Sequence, residues 1–273
     1  MSHLSIMNVD VRRINRFQYE EVADLVAVEE PLEIRLIYGE KETEKGISIT
    51  MRTPGNDSAL AAGFLFTEGI LKTAVSIKEI RTDASGQFVN VCLHPLEQPV
   101  LQNMDRNFYT TSSCGVCGKA SIDAIKTVSF YNDIHDEIKI NANVLYDLHE
   151  KLLIEQKAFE RTGGLHASAL FDIDGTLIML QEDVGRHNAL DKLIGSFFLK
   201  NALPLNNHIL LLSGRASFEL IQKSVMAGIK LVVAVGAPSS LAIHLAIENN
   251  ITLIGFLRSD RFNIYCGDER IDM

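Results

Sequence analysis

Cysteine, proline and positive charge are all scarce in this chain. Its 273 residues hold four cysteines, Cys92, Cys114, Cys117 and Cys266. So few do not make a disulfide framework. A reducing, cytoplasmic setting is expected, in which a close pair of cysteines serves chemistry rather than cross-linking. Proline occurs only 6 times while 47% of residues are hydrophobic, and mean hydropathy is +0.10; disorder and low complexity are excluded for most of the chain. Lys and Arg number 26 against 35 Asp and Glu, a net charge of −9. That balance argues against broad nucleic-acid or anionic-membrane binding, which needs a basic surface. A small anionic ligand stays open, because a few local arginines suffice for it. Long apolar runs are missing too. Leu231 to Ile247 is interrupted by Gly236, Pro238, Ser239, Ser240 and His244, short of the ~20 apolar residues of a spanning helix. The opening MSHLSIMNVD has no basic stretch leading into an apolar block, so no signal peptide is expected.

What is present divides the chain. Val9 to Tyr19, Leu32 to Tyr38 and Gly46 to Thr53 carry β-branched and aromatic residues at strand spacing, and Asn56/Asp57 caps a helix over Ala59 to Ile70. Strands over Ile77 to Asp83 and Gln87 to Leu93 flank an Ala84-Ser85-Gly86 hairpin turn. Residues 1–110 are thus a smaller α+β domain. Residues 111–142 form a cysteine-bearing loop and connector, with a short helix over Ala120 to Val128. Residues 143–273 alternate: a long helix over 143–160, strands Leu165 to Asp172 and Thr176 to Gln181 around Asp174-Gly175, then helix 188–200, strand 208–213, helix 217–227, strand 230–235, helix 239–249, strand 251–257 and an edge strand Phe262 to Cys266. Apolar strands between amphipathic helices predict a three-layer α/β/α domain.

Several constellations carry chemistry. Ser113-Cys114-Gly115-Val116-Cys117-Gly118-Lys119 places two thiols three residues apart between glycines. Lys119 and a following helix start favour thiolate, the nucleophilic form. Structural zinc needs a second ligand pair, and only Cys92 and Cys266, both read as core residues, remain. A redox pair and a sulfur relay through a persulfide both stay open. Four turns then combine polar residues with strand-to-helix geometry: Glu182-Asp183-Val184-Gly185-Arg186-His187, Ser213-Gly214-Arg215-Ala216-Ser217, Gly236-Ala237-Pro238-Ser239-Ser240, and Gly255-Phe256-Leu257-Arg258-Ser259-Asp260-Arg261-Phe262. Helix starts and arginines bind phosphates, and such turns gather at one sheet edge. Singly, each is also explained by an ordinary helix cap; Arg186, Arg215, Arg258 and Arg261 together point to a phosphate-bearing ligand. Asp183 or Asp260 would read a guanine edge or a ribose. His166, at a strand start after Gly163-Gly164, is a site residue or a satisfied buried histidine. A hairpin leading into a helix that opens with His resembles a zinc deaminase, but His187-Asn188-Ala189 lacks the acid of H-x-E and Arg215-Ala216-Ser217-Phe218 replaces P-C-x-x-C, so that chemistry is not expected.

The segments SSCGVCGKAS, TGGLHASAL, EDVGRHNALDKLIG, SGRASFELIQK, APSSLA and GFLRSDRFNIY together resemble the formate dehydrogenase accessory family of FdhD/NarQ type, from the GFLFTEGI helix to the C-terminus. The resemblance implies a sulfurtransferase. A cysteine desulfurase would supply sulfur as a persulfide on Cys114, assisted by Cys117. The sulfur would pass to the molybdenum cofactor, bis-molybdopterin guanine dinucleotide, on behalf of formate dehydrogenase. It further implies a C-terminal cytidine-deaminase-like domain without zinc, no structural metal, and a homodimer. Arg186, His187, Arg215, Ser239 and the run Phe256, Leu257, Arg258, Ser259, Asp260 and Arg261 would bind the cofactor. A cofactor-binding chaperone that transfers no sulfur is the alternative.

Overall fold

A computed structural model describes residues 5–101, 129, 131 and 138–273. Cys114, Cys117 and the helix expected over Ala120 to Val128 lie outside the described residues. The chain begins with an antiparallel hairpin, β1 (Ile6–Asn15) and β2 (Gln18–Ala27). Where a single strand is expected over Val9 to Tyr19, the chain instead reverses at Arg16 and Phe17. Asn15-Arg16-Phe17-Gln18 has no Asn-Gly, Asp-Gly or Gly-X pair to signal a tight turn, and Phe17 at the tip is 94% exposed.

A four-stranded sheet follows in the order β4 (Thr43–Arg52), β3 (Glu30–Tyr38), β6 (Phe88–Leu93), β5 (Ile77–Thr82). Helix α1 (Asp57–Thr67) connects β4 to β5 and is shorter than expected, ending ahead of Gly69, whose φ is +74°. Asn56 occupies its N-cap without a side-chain cap. Asp57 turns back instead to hold the buried Arg52 guanidinium at 3.0 Å.

The larger sheet runs β13 (Asn263–Cys266), β12 (Thr252–Gly255), β11 (Leu231–Ala234), β10 (Ile209–Leu212), β8 (His166–Phe171), β9 (Leu177–Asp183). Strands β10, β11 and β12 are mutually parallel, while β8 and β13 run the other way. Alternate strand residues serve different layers, as strand pleating dictates. Leu210, Leu212, Val232, Ala234 and Leu253 pack against α4 (Arg186–Phe198), α5 (Phe218–Met226) and α6 (Ser240–Glu248). Ile209, Leu211, Leu231, Val233 and Ile254 pack against Leu145, Leu148 and Leu152 of α2 (Ala142–Glu155). Two short strands, β7 (Ile140–Asn141) and β14 (Ile271–Asp272), pair in parallel. The helix expected over 143–160 breaks at Gln156 into α2 and α3 (Lys157–Thr162). Glu182, on β9, accepts from the backbone N–H groups of Ala158 and Phe159 at 3.2 and 2.9 Å. A carboxylate brought in by tertiary structure thus caps a new helix start.

The four-stranded sheet and the α4–α6 layer share one apolar core through α1, whose Leu60, Leu65 and Phe66 join Leu190, Leu193, Ile194 and Phe198 of α4. Buried polar groups tie α4 to β9, to α5 and to the segments on either side of α1's body. Asp183 accepts from Lys192 Nζ at 2.7 Å and from the N–H of Thr53 at 3.2 Å. Asp191 accepts from Lys223 Nζ at 2.9 Å and from the Thr67 hydroxyl at 2.8 Å. Burial is the main influence on both carboxyl groups and pushes their pKa values up, against the pull of the facing lysine. Removing one member of such a pair leaves an uncompensated buried charge, at a cost of about 3–5 kcal/mol. Asp191→Ala is therefore expected to lower the urea midpoint sharply, and Asp191→Leu combined with Lys223→Met to recover most of the loss. A wild-type midpoint for the single variant would contradict this.

Candidate functional site

Strand β9 is antiparallel to β8, which is antiparallel to β10. The carboxyl ends of β9, β10, β11 and β12 therefore lie at one edge of the larger sheet, together with the start of β8. The four polar turns of the sequence lead from these ends, in the position where open α/β sheets bind ligands. Gly185 is the N-cap of α4, ahead of Arg186 and His187. Gly214 and Arg215 separate β10 from α5, and Ser239 is the N-cap of α6. Phe256 to Arg261 joins β12 to β13.

Backbone hydrogen bonds lace the last three turns into a platform. The Gly236 N–H donates to Gly214 O at 2.9 Å, the Ser239 N–H to Ala216 O at 3.0 Å and the Phe256 N–H to Gly236 O at 3.1 Å. A Cβ at Gly236 would sit 2.9 Å from Arg215 N and Gly214 O, so only glycine permits this approach. Phe256 is held at φ +55°, a left-handed conformation that costs a non-glycine residue about 1–3 kcal/mol and persists only where neighbours enforce it.

The candidate binding residues are not equally available at this edge. Arg215, Ser239, Phe256, Ser259, Asp260 and Arg261 are exposed, and Arg186 and Arg258 are half-buried. Arg258 donates from Nη1 to the carbonyls of Val235 and Leu257 at 2.8 and 2.6 Å, which fixes the base of its guanidinium against the edge. The Ser239 hydroxyl already accepts from the Ala242 N–H at 3.3 Å as a helix cap. Leu257 is fully buried within the core that α2 covers, so its side chain does not reach a ligand. Asp183 is fully buried, and its oxygens accept from Lys192, Thr53, Gly185 and Asn188. It braces the fold and is not free to read a guanine edge; Asp260 remains exposed. Cys92 and Cys266 are both free thiols. Cys92 is buried, while Cys266 is half-buried and donates to Ile251 O at 3.2 Å. Burial pushes both thiols up in pKa, as for packing residues. Among the described residues no group of three His, Cys, Asp or Glu side chains is set to hold a metal ion. None of their helices is long and apolar enough to cross a membrane.

His187 faces inward toward α5, with Nε2 3.9 Å from the Glu219 carboxylate. Burial, then the charges of Lys223 and Arg186, lower its pKa from 6.5 to about 4. Between these values the unfolded chain takes up a proton that the folded chain resists. Stability therefore falls as the pH drops from 6.5 towards 4 and is unaffected by this group above 6.5. His149, His166 and His208 are also lowered, chiefly by burial, and act in the same direction. The melting temperature is expected to decline over this window, and His187→Phe to flatten the decline; an unchanged profile in that variant would contradict the assignment.

The FdhD/NarQ family model matches residues 27–272. A sulfur carrier protein FdhD of Streptomyces avermitilis is 48% identical over 257 residues, covering 91% of this chain and 89% of that one. One of Mycobacterium tuberculosis is 43% identical over 274 residues, covering 95% and 97%. A crystal structure from Desulfotalea psychrophila, described as a formate dehydrogenase accessory protein, superposes with a TM-score of 0.76 at 24% identity, covering 98% of this chain and 100% of that one. The first two are likenesses of sequence; the third is a likeness of fold. A single family model spanning nearly the whole chain, backed by full-length relatives above 40% identity, decides the assignment: the chain belongs to the FdhD/NarQ family.

Proposed function

We propose that this chain is a sulfur carrier for formate dehydrogenase. It would take sulfane sulfur from a cysteine desulfurase as a persulfide and deliver it to the molybdenum cofactor, bis-molybdopterin guanine dinucleotide. The observation that carries the reading is the 48% identity, over nine-tenths of the chain, to a protein named as a sulfur carrier. The Cys114-Gly115-Val116-Cys117 pair supplies the thiols that such a carrier needs.

The transfer divides into two displacements. First, the Cys114 thiolate attacks the terminal sulfur of the donor's persulfide; the donor's S–S bond breaks, its thiolate leaves, and the sulfur stays on Cys114. Second, the Cys117 thiolate attacks the Cys114 sulfur. The persulfide bond breaks, a Cys114–Cys117 disulfide forms, and hydrosulfide is released to the cofactor. A cellular dithiol supplies the two electrons that return the disulfide to thiols. Lys119 favours the thiolate form needed at each attack.

The cofactor is the acceptor substrate, and the arginine-bearing edge fits its anionic end. Arg215 and Arg261, exposed on turns at this side of the sheet, offer bidentate donors suited to diphosphate, and Arg186 and Arg258 add positive charge beside them. Phe256 and Asp260, both exposed there, are placed to meet the nucleoside. The strand order β9-β8-β10-β11-β12 with helices on both faces supports a cytidine-deaminase-like layout for this region. The reading is tested by producing formate dehydrogenase in cells that lack their own carrier. Activity should return when this chain is supplied, and no return would overturn the proposal.

A further inference from the structure

The β1–β2 hairpin holds no buried residue. Its strands have ten residues each and pair without a bulge from Ile6↔Ala27 to Asn15↔Gln18. Among the described residues it is a sheet of two strands only, and such a ribbon is marginal in water by itself. Helix α3 packs against β2, while no described strand pairs with the outer edge of β1. Met7, Ile14, Phe17 and Tyr19 are all exposed. Free strand edges are ordinarily blunted by shortness, by a bulge or by proline, and β1 has none of the three. The family match begins at residue 27, the last of β2, so a homodimer of the family need not use this ribbon.

Which backbone groups this edge offers follows from the pairing. The Val28 N–H donates to Ser5 O at 2.9 Å, and hydrogen-bonded and non-bonded pairs alternate along an antiparallel ladder. Met7, Val9, Val11 and Arg13 therefore bond to β2. Asn8, Asp10, Arg12 and Ile14 turn their N–H and C=O groups outward. Those groups suit a further strand, and side-chain charge selects which one.

Strand β2 carries Glu20, Glu21 and Asp24 with no base, whereas β1 carries Asp10 together with Arg12 and Arg13. Two β2 edges would oppose acid to acid. Two β1 edges can run antiparallel about a two-fold axis, with outward-bonding residues opposite one another. Asp10 opposite Asp10 of a second copy, or Arg12 opposite Arg12, brings like charges together, which is destabilising. The register between these two, centred on Val11, sets Asp10 opposite Arg12 twice. Arg12 lies 3.4 Å from Glu21 across the hairpin and is still largely exposed, so each row then alternates acid, base, acid. On the other face Val11 stands opposite Val22, and two copies give an apolar row across four strands.

We propose that a second copy of this chain pairs with the β1 edge: the two hairpins join β1 to β1 about a two-fold axis at Val11, forming a four-stranded antiparallel sheet shared by two protomers. Three or more strands with an apolar face are what a sheet needs to be stable in water. A two-fold contact of this kind closes on itself, so the assembly stops at two. The pairing rests on β1 and β2 alone and is independent of the sulfur-carrier reading.

The test is self-association of the full chain, followed by sedimentation velocity over a dilution series, in the wild type and in two charge reversals at exposed positions. Asp10→Arg sets base against base at both crossings, and Arg12→Asp sets acid against acid. The wild type should be a dimer. Each variant alone should dissociate about tenfold or more readily, with a far-ultraviolet circular dichroism spectrum like that of wild type. Mixed in equal amounts, the two variants should regain the association of the wild type, because each crossing of the mixed dimer again joins one acid and one base. A merely structural effect of either reversal leaves the mixture no better than its components. A monomeric wild type, single variants that associate as the wild type does, or a mixture without recovery would each overturn the pairing.

Discussion

Replacing Cys114 with alanine is expected to reduce activation of formate dehydrogenase to the level seen without the protein. The effect is total because the proposed chemistry has no substitute for a sulfur nucleophile. Alanine cannot form the S–S bond that holds the transferred atom, and a hydroxyl at the same place is far too weak a nucleophile at neutral pH. Cys92 and Cys266 cannot stand in. Both are raised in pKa by burial, and both belong to strands of the packed fold. Cys117→Ser is expected to behave differently. It leaves the receiving thiol in place and removes the one that releases the cargo, so sulfur should load and activation should fall. Equal activation by wild type and Cys114→Ala would leave only a binding role for the chain.

The second large effect concerns the fold that carries the arginine edge. Gly195→Ala and Gly63→Ala are each expected to destabilise the protein by about 3 kcal/mol or more, the upper range of overpacked sites, or to prevent folding. Helix propensity alone predicts the opposite sign, since alanine is favoured over glycine by about 1 kcal/mol in a helix interior. Contact geometry decides against it. A Cβ at Gly195 would lie 1.9 Å from Ala59 O, and one at Gly63 would lie 1.9 Å from Asp191 O. Both obstacles are backbone, so no rotamer change relieves them. The two helices would have to separate along a line that also carries the Phe66–Phe198 stack, with ring centroids 4.7 Å apart, and the Asp191–Lys223 pair. Melting temperature measures the effect; a loss near 3 kcal/mol corresponds to a fall of about 6–12 °C. A gain in stability from Gly195→Ala would show that α1 and α4 do not cross at these glycines.

The larger sheet was legible in the sequence because its signals are local. Buried strands such as Ile209–Leu212 and Leu231–Ala234 are continuous apolar runs, and each is followed by a glycine turn and an amphipathic helix. The meeting of Arg186, Arg215, Ser239 and Phe256 to Arg261 at one edge followed from that alternation alone. Other features escaped because their causes are distant in the chain. The break at Gln156 depends on Glu182; the role of Asp183 depends on Lys192 and Thr53; Lys223 depends on Thr67 and Asp191. The β1–β2 turn escaped for the opposite reason: it is local but lacks turn residues. His149 and Gln156 carry no motif. Only the packing of α2 against the sheet brings them near His166 and Ser213, two residues that belong to segments singled out in the sequence.

Whether Cys114 carries sulfur is read from the intact mass of the protein. The chain is incubated with a cysteine desulfurase and cysteine, and half of the sample is then reduced. A gain equal to one or more sulfur atoms is expected, reversed by the reductant and lost in Cys114→Ala but retained in Cys117→Ser. An unchanged mass in the wild type, under conditions where the desulfurase turns over, would contradict it.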